Sequence, residues 1–348
     1  MHKFLSFLMS CAFGVIAFAP FEGADVFVSA ETAELEQSAG QETDGQIYSA
    51  KKNTEFELPV SGATGFSYTL TNGLEKGEAF TILEARQEDR TLIVEKAGGG
   101  VVQIPMTACF INLPDVIPSI IYCDTNGISS VFTSSLEPIA NVTGEKLYDS
   151  ISYNNRLDGY EFTMPILYEA AEELYAIQQK ALADGYSIVL YQAFRPLSCQ
   201  VTVRENLDYE LSSSSVIKAG LGGWGKGWFI AQGLSNHQYG GAVDVSLARV
   251  TRMGVFYTGS YRYCKPVNWE LCEMQSPMHE LSALSVDTAT NKTDEELYLR
   301  RLFVDDGWRP LRSEWWHFDC VDALRNRAYS TDGDFWTYEN LSTCPEIV

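Results

Sequence analysis

The chain has 348 residues, is 45% hydrophobic and 12% aromatic, and carries a formal net charge of −21. That length allows one large domain or two modest ones, with enough apolar material for a proper core. A surface this acidic repels phosphate backbones and anionic lipid, so nucleic acid is not an expected partner.

Residues 1–30 read as a signal peptide. His2 and Lys3 give a short basic start, and "FLSFLMSCAFGVIAFA" (4–19) is an apolar run shorter than the roughly 20 residues a membrane span needs. "VSA" (28–30) supplies small residues for cleavage, so the mature chain is expected to begin near Glu31, with no span remaining; the alternative is a signal retained as an anchor. The expected location is secreted or associated with the cell wall. Of eight cysteines, Cys11 leaves with the signal, which makes the remainder odd in number. Proximity suggests Cys264 with Cys272, Cys320 with Cys344 and Cys109 with Cys123, with Cys199 left over; spacing does not fix the connectivity. No CxxC pair occurs, which argues against a cysteine zinc site.

Residues 31–52 are polar and acidic at first and read as a disordered linker. From residue 53 the texture becomes β-like. "EFELPV", "FSYTL", "FTILEA", "TLIVE" and "VVQIPM" are separated by turn clusters such as "TNG" and "AGGG". Five short strands in this span point to a small barrel over 53–112. It resembles the SH3-like modules of bacterial wall enzymes, which would give contact with the cell wall. The prolines of "INLPDVIPSIIY" mark the crossing into a second domain, 113–348. There, Leu167, Ala171, Leu174, Ile177 and Ala181 share one helical face, and Asp184–Gly185 stops the helix. "YSIVLYQ" (186–192) reads as a buried strand ending at "AFRP". A second helix starts at Thr293, with Glu296 completing a capping box, and ends at Asp306–Gly307. Helices and strands intermix without a βαβ repeat, so the expected class is α+β.

The chemistry gathers in two stretches. In "SNHQYGGAVDVSL", Val243, Val245 and Leu247 share one strand face, and Ala242, Asp244 and Ser246 the other. Gly240 and Gly241 permit a tight turn that folds His237 back beside Asp244. "SEWWHFD" then supplies His317, with Glu314 three residues earlier. On a regular strand those two would face apart, so a bulge or strong twist is expected. Two imidazoles and a carboxylate suit zinc and leave a fourth position for water. Glu314 could move the proton, and Arg195, at the end of a strand, could stabilise an oxyanion. The same ligand types occur in oxygenase iron sites, but those usually pair His and Asp two apart, against seven for His237 and Asp244.

The pattern Ser235, His237, Gly240, Ala242, Asp244, with "EWWH" (314–317) and "AFRP", resembles the zinc D,D-peptidases, and most closely the VanX-type D-alanyl-D-alanine dipeptidases. The likeness covers roughly residues 147–319. It implies a small mixed or antiparallel sheet flanked by helices. It also implies one zinc ion on His237, Asp244 and His317, Glu314 as general base and acid, and Arg195 facing the tetrahedral intermediate. Ser235 would line the pocket. The implied substrate is D-Ala-D-Ala, free or at the end of a peptidoglycan stem peptide. There are two departures: the best-known dipeptidases of this type work in the cytoplasm, whereas this chain is expected to be secreted, and "EMQSPMHELS" aligns with a family segment that has an acid where this chain has His279. An acid there would hold the dipeptide's ammonium, so His279 is expected to be a pocket residue and strict dipeptide specificity is in question. The alternatives are a D,D-carboxypeptidase acting on stem pentapeptides and a non-catalytic wall-binding protein.

Overall fold

Alternating apolar residues set the first sheet. The computed structural model describes residues 56–123, 132–138, 151–154, 159–162, 164–195, 197–221, 226–258 and 260–327, all within one compact unit, Thr43–Val348. The expected signal peptide and linker lie outside them. The first five strands are β1 (Thr64–Ser67), β2 (Ala79–Arg86), β3 (Thr91–Lys96), β4 (Val101–Pro105) and β5 (Cys109–Asn112). In β2 and β3, Phe80, Ile82, Leu92 and Val94 are buried, and Thr81 and Leu83 are not. That two-residue period buries one face of the ladder.

Short elements follow: α1 (Leu113–Val116), β6 (Ile121–Tyr122), a hairpin of β7 (Thr133–Ser134) and β8 (Glu137–Pro138), and a pair of β9 (Ile151–Asn154) and β10 (Gly159–Phe162). Next comes β11 (Pro165–Leu167), which returns to the first sheet and pairs with β5, giving the order β11-β5-β1-β2-β3-β4. All these pairings are antiparallel. The ladder has two ends, β4 and β11, and the pairings do not show the SH3-like barrel expected from the sequence. One continuous apolar core runs from Leu58 through Phe110 to Trp316 and Ala323.

Helix α2 (Tyr168–Ala183) buries Ala171, Leu174, Ile177 and Ala181, as its spacing predicts, whereas Leu167, expected on the same face, ends β11 just before it; Gly185 at φ +82° follows its end. Arg90 reaches from the first sheet to Glu169 and Glu172 on α2, at 3.0 and 2.6 Å. Beneath α2, the buried Gln178 amide bonds Ser119 O, Ser187 Oγ and Ile188 N, so its polar atoms are satisfied.

Strand β12 (Tyr186–Gln192) leads to α3 (Leu197–Ser213) and α4 (Ser215–Gly220). The long hairpin β13 (Ala242–Thr258) and β14 (Tyr261–Leu271) comes next, then α5 (Asp294–Asp305), β15 (Arg309–Pro310), β16 (His317–Asp319) and α6 (Val321–Asn326). The second sheet has the order β15-β16-β13-β12-β6, with β14 also on β13. Only β12 and β6 run parallel, so the sheet is mixed. Residues 242–248 of β13 are buried on both faces. The oxygen of Thr293 accepts from Glu296 N at 3.1 Å and caps α5, but the Glu296 carboxylate makes no return bond among the described residues, so the expected box is half formed; three acids lie in the first turn. No helix of the described residues is long and apolar enough to cross a membrane.

The cysteine pairing differs from expectation. No disulfide joins Cys109, Cys123, Cys264, Cys272 or Cys320 to another described cysteine. Cys264 and Cys272 sit eight residues apart along one extended segment, about 26 Å, far beyond disulfide reach. Cys109 contacts Phe110 O in the first sheet, and Cys123 contacts Tyr191 O in the second. Cys320 bonds Glu173 at 3.1 Å, and Cys344 lies outside the described residues.

The turn before β13 needs its glycine. Gly240 has φ +69°, and a Cβ there would drive into the Phe110 ring. Gly240→Ala is expected to cost about 2–5 kcal/mol, summing the left-handed penalty and overpacking. Denaturant titration would measure it, and a loss below about 1 kcal/mol would show that the turn tolerates a side chain.

Candidate metal centre

Three segments meet at the site, each for a local reason. Residues 235–241 form a turn closed by Gln238 N to Ser235 O, Gly240 N to His237 O and Gly241 N to Asn236 O, at 3.0–3.1 Å. The turn folds His237 back over the start of β13. Antiparallel pairing then places Asp244 directly opposite His317 on β16. The third segment is the end of β12, where Ala193 O and the Arg195 side chain face the same point.

The donor atoms converge. His317 Nδ1 is 3.0 Å from Asp244 Oδ1, His237 Nε2 is 3.1 Å from His317 Nδ1, and His237 Nε2 is 3.3 Å from Asp244 Oδ1. All three residues are buried. Ligands at the corners of a zinc tetrahedron, with bonds of about 2.0–2.1 Å, lie about 3.3–3.4 Å apart. The triad is close to that spacing, and it could hold a metal ion.

The outer nitrogens decide which lone pairs point inward. His237 Nδ1 is 2.6 Å from Ala193 O, a carbonyl that can only accept, so Nδ1 carries the proton and Nε2 is bare. His317 Nε2 donates to Asp319 Oδ1 at 3.0 Å, which leaves Nδ1 as its inward atom. Asp319 is itself held by Arg309 at 2.9 Å. Despite burial, the charges and hydrogen bonds of His317 and Arg309 keep Asp319 well below the usual carboxylate range. The inward nitrogens of two imidazoles and a carboxylate oxygen thus face one another in a buried space, an arrangement that could hold a cation.

The protonation equilibria reflect the same arrangement. Burial opposes charge on His317, yet Asp319 and Asp244 on either side push its pKa up to about 10. Burial lowers His237, and Asp244 only partly offsets this. Burial would raise Asp244, but the histidines around it hold it well below its ordinary value.

The other expected residues fall as follows. Glu314 is 7% exposed and lies shortly before β16. The expected bulged strand is not found; Glu314 directly precedes a turn at Trp315 and Trp316, where Trp315 N bonds Ser285 O and Trp316 O accepts from Val245 N, and it is near enough to His317, Asp244 and Arg195 for their charges to act on it. Burial pushes the Glu314 pKa up to about 8, with His317 and Arg195 pulling down and Asp244 pushing up. Arg195 is buried. Its Nε bonds Gln192, Nη1 bonds Gln200 at 2.6 Å, and Nη2 bonds Asp244 Oδ2 at 3.2 Å. Two glutamines thus hold most of the guanidinium, its longest contact is with a candidate ligand, and one Nη1 hydrogen remains uncommitted among the described residues. Ser235 bonds Gln238 Oε1 through both N–H and hydroxyl, at 2.6 and 2.8 Å, so it stabilises the turn. His279 is fully buried, with Nε2 3.4 Å from Asp244 Oδ2.

Sequence reasoning missed Asp319 and the Ala193 carbonyl. Asp319 was within reach, since residues two apart on a strand share a face and "HFD" places His317 and Asp319 that way. A backbone carbonyl leaves no signal in side-chain identity.

A proton on His317 occupies the place a cation would take. With a pKa near 10, metal-free His317 is protonated at neutral pH, and metal binding must displace that proton. Zinc affinity is therefore expected to rise about tenfold per pH unit as pH climbs from neutrality towards 10, with about one proton released per ion. Titration calorimetry in buffers of different ionisation enthalpy would measure the release, and a pH-independent affinity would refute this account.

No protein-family model matches the chain. Over 181 residues, 50% of this chain and 80% of the relative, it is 25% identical to a D-alanyl-D-alanine dipeptidase from Enterococcus faecium. Over 174 residues, 48% of this chain and 78% of the relative, it is 26% identical to a D-alanyl-D-alanine dipeptidase from Enterococcus faecalis. These similarities support a distant kinship with the D-alanyl-D-alanine dipeptidases and a peptidase function.

Proposed function

We propose that the protein is an exported zinc peptidase that cleaves the D-Ala-D-Ala bond in peptidoglycan metabolism, with one zinc ion on His237, Asp244 and His317. The convergence of two oriented imidazole nitrogens and one carboxylate oxygen, with Glu314 near them, carries this reading. When bound there, zinc would polarise the scissile carbonyl and make water a stronger acid. Glu314 accepts the proton of the attacking water and delivers it to the departing amino group. The charge of a bound cation would favour the ionised carboxylate that accepts the water's proton, and burial favours the neutral acid that hands it on. The uncommitted N–H of Arg195 is the group for the developing oxyanion. The apolar N-terminal run would be the export signal, and the cell wall the setting in which the substrate is met.

A second reading, carboxypeptidase action on stem peptides, is favoured by residues 279–280. A free dipeptide carries an ammonium group one residue from the scissile bond, and a nearby carboxylate would balance it. His279 is turned to Asp244. Glu280 is fully buried, with Oε2 accepting from Thr133 Oγ1 and Leu136 N and Oε1 without a partner among the described residues. Neither presents an open negative charge.

D-Alanine release separates these readings. The zinc-loaded protein is expected to release D-alanine from D-Ala-D-Ala or from an N-acylated peptide ending in D-Ala-D-Ala, and a chelator to stop it. Glu314→Gln should lower kcat by about 10²–10⁴-fold while zinc stays bound. A higher kcat/KM on the acylated peptide supports the carboxypeptidase reading. No release from either substrate, together with retention on purified wall, would leave a binding protein instead.

A further inference from the structure

We propose that His279 is a positioning residue: with Arg195 it holds the outer oxygen of Asp244, so that Asp244 offers a metal ion one oxygen only. This rests on the metal-binding reading of the triad. The two oxygens of Asp244 face different company. Oδ1 lies against His317 Nδ1 and His237 Nε2. Oδ2 lies against Arg195 Nη2 at 3.2 Å and His279 Nε2 at 3.4 Å. Donors on Oδ2 compete with a cation for that oxygen. They favour single-oxygen ligation and leave a coordination position open.

The fold places His279 there against local preference. Its φ is +60°, a region a non-glycine residue rarely occupies. Several contacts fix it. The ring stacks on Phe132 at 4.4 Å and 5°, and meets the edge of Trp316 at 5.6 Å and 87°. Its carbonyl accepts from Thr133 N at 3.1 Å, and Leu281 N bonds Thr133 O at 2.7 Å. The next residue, Glu280, is tied to the same β7–β8 hairpin through Thr133 and Leu136. Trp316 directly precedes the candidate ligand His317, so the ring is wedged between one ligand and the neighbour of another.

The ring's polar atoms locate its task. Nδ1 is buried with no hydrogen-bond partner among the described residues. The contact to Asp244 is the polar interaction left to the imidazole, so Nε2 carries its proton and donates. A hydrocarbon could make the stacking contacts; the donor to Oδ2 is what the histidine adds.

The test uses the full-length mature protein and zinc itself. His279→Leu keeps similar bulk but removes the donor; His279→Gln keeps a terminal N–H. Zinc dissociation constants would come from chelator competition, and thermal unfolding of the metal-free proteins would report structure. We expect His279→Leu to weaken zinc about 10–100-fold and His279→Gln to recover most of that loss. X-ray absorption of the zinc-loaded Leu variant should show a second Asp244 oxygen drawn towards the metal. Wild-type zinc affinity in a folded Leu variant would overturn the proposal, as would an equal loss in both variants. If the Leu variant does not fold, the Gln variant decides: near-wild-type affinity supports the proposal and a loss of tenfold or more overturns it. A wild-type protein that binds no zinc refutes the metal centre itself, an outcome distinct from failure of His279 alone.

Discussion

Three acceptor atoms forced together out of water are the constraint around which the second sheet is arranged. His237 Nε2, His317 Nδ1 and Asp244 Oδ1 lie 3.0–3.3 Å apart. Their lone pairs repel unless something positive sits among them. A proton on His317 meets the need partly, and a divalent cation would meet it better. The surrounding groups keep the three atoms from turning away: Ala193 O fixes one ring, Asp319 the other, and Arg195 with His279 the carboxylate. A centre of this kind is strong because its ligands cannot relax.

Charge alternates outward from that point. Arg309 neutralises Asp319, Asp319 orients His317, His317 faces Asp244, and Asp244 meets Arg195. Each link is buried on at least one side. Removing a single member would strand its neighbour as an unpaired buried group, which costs more than the pair contributes. Such a network specifies one arrangement of side chains and makes a poor source of net stability.

The first sheet takes part in holding the site. Phe110 on β5 packs edge-on to Tyr68 and to Phe194, at 4.9 and 5.9 Å. The same ring fills the space over Gly240, in the turn that carries His237. Leu167 N on β11 bonds Gly240 O at 2.8 Å. The strands read from sequence as a separate module thus back the turn that aims a candidate ligand. Their shared apolar core is why the pairing runs on into β11.

Much of this was legible in the residues. The pattern His237, Gly240, Asp244 gave the turn and the strand, because glycine frees the backbone and alternation assigns faces. Helix α2 and the Thr293 cap followed from spacing and short polar side chains, both local effects. The sequence by itself therefore determined the donor types, the helix and strand segments and the company His317 keeps with Glu314. The tertiary structure decided the rest: the turn, not a bulge, after Glu314; the pairing of Asp244 with His317; the role of Ala193 O; unbridged cysteines among the described residues where bridges were expected; and His279 on Asp244. Those depend on which distant segments share a wall of the core, and packing across the whole chain selects that, where neighbouring residues cannot.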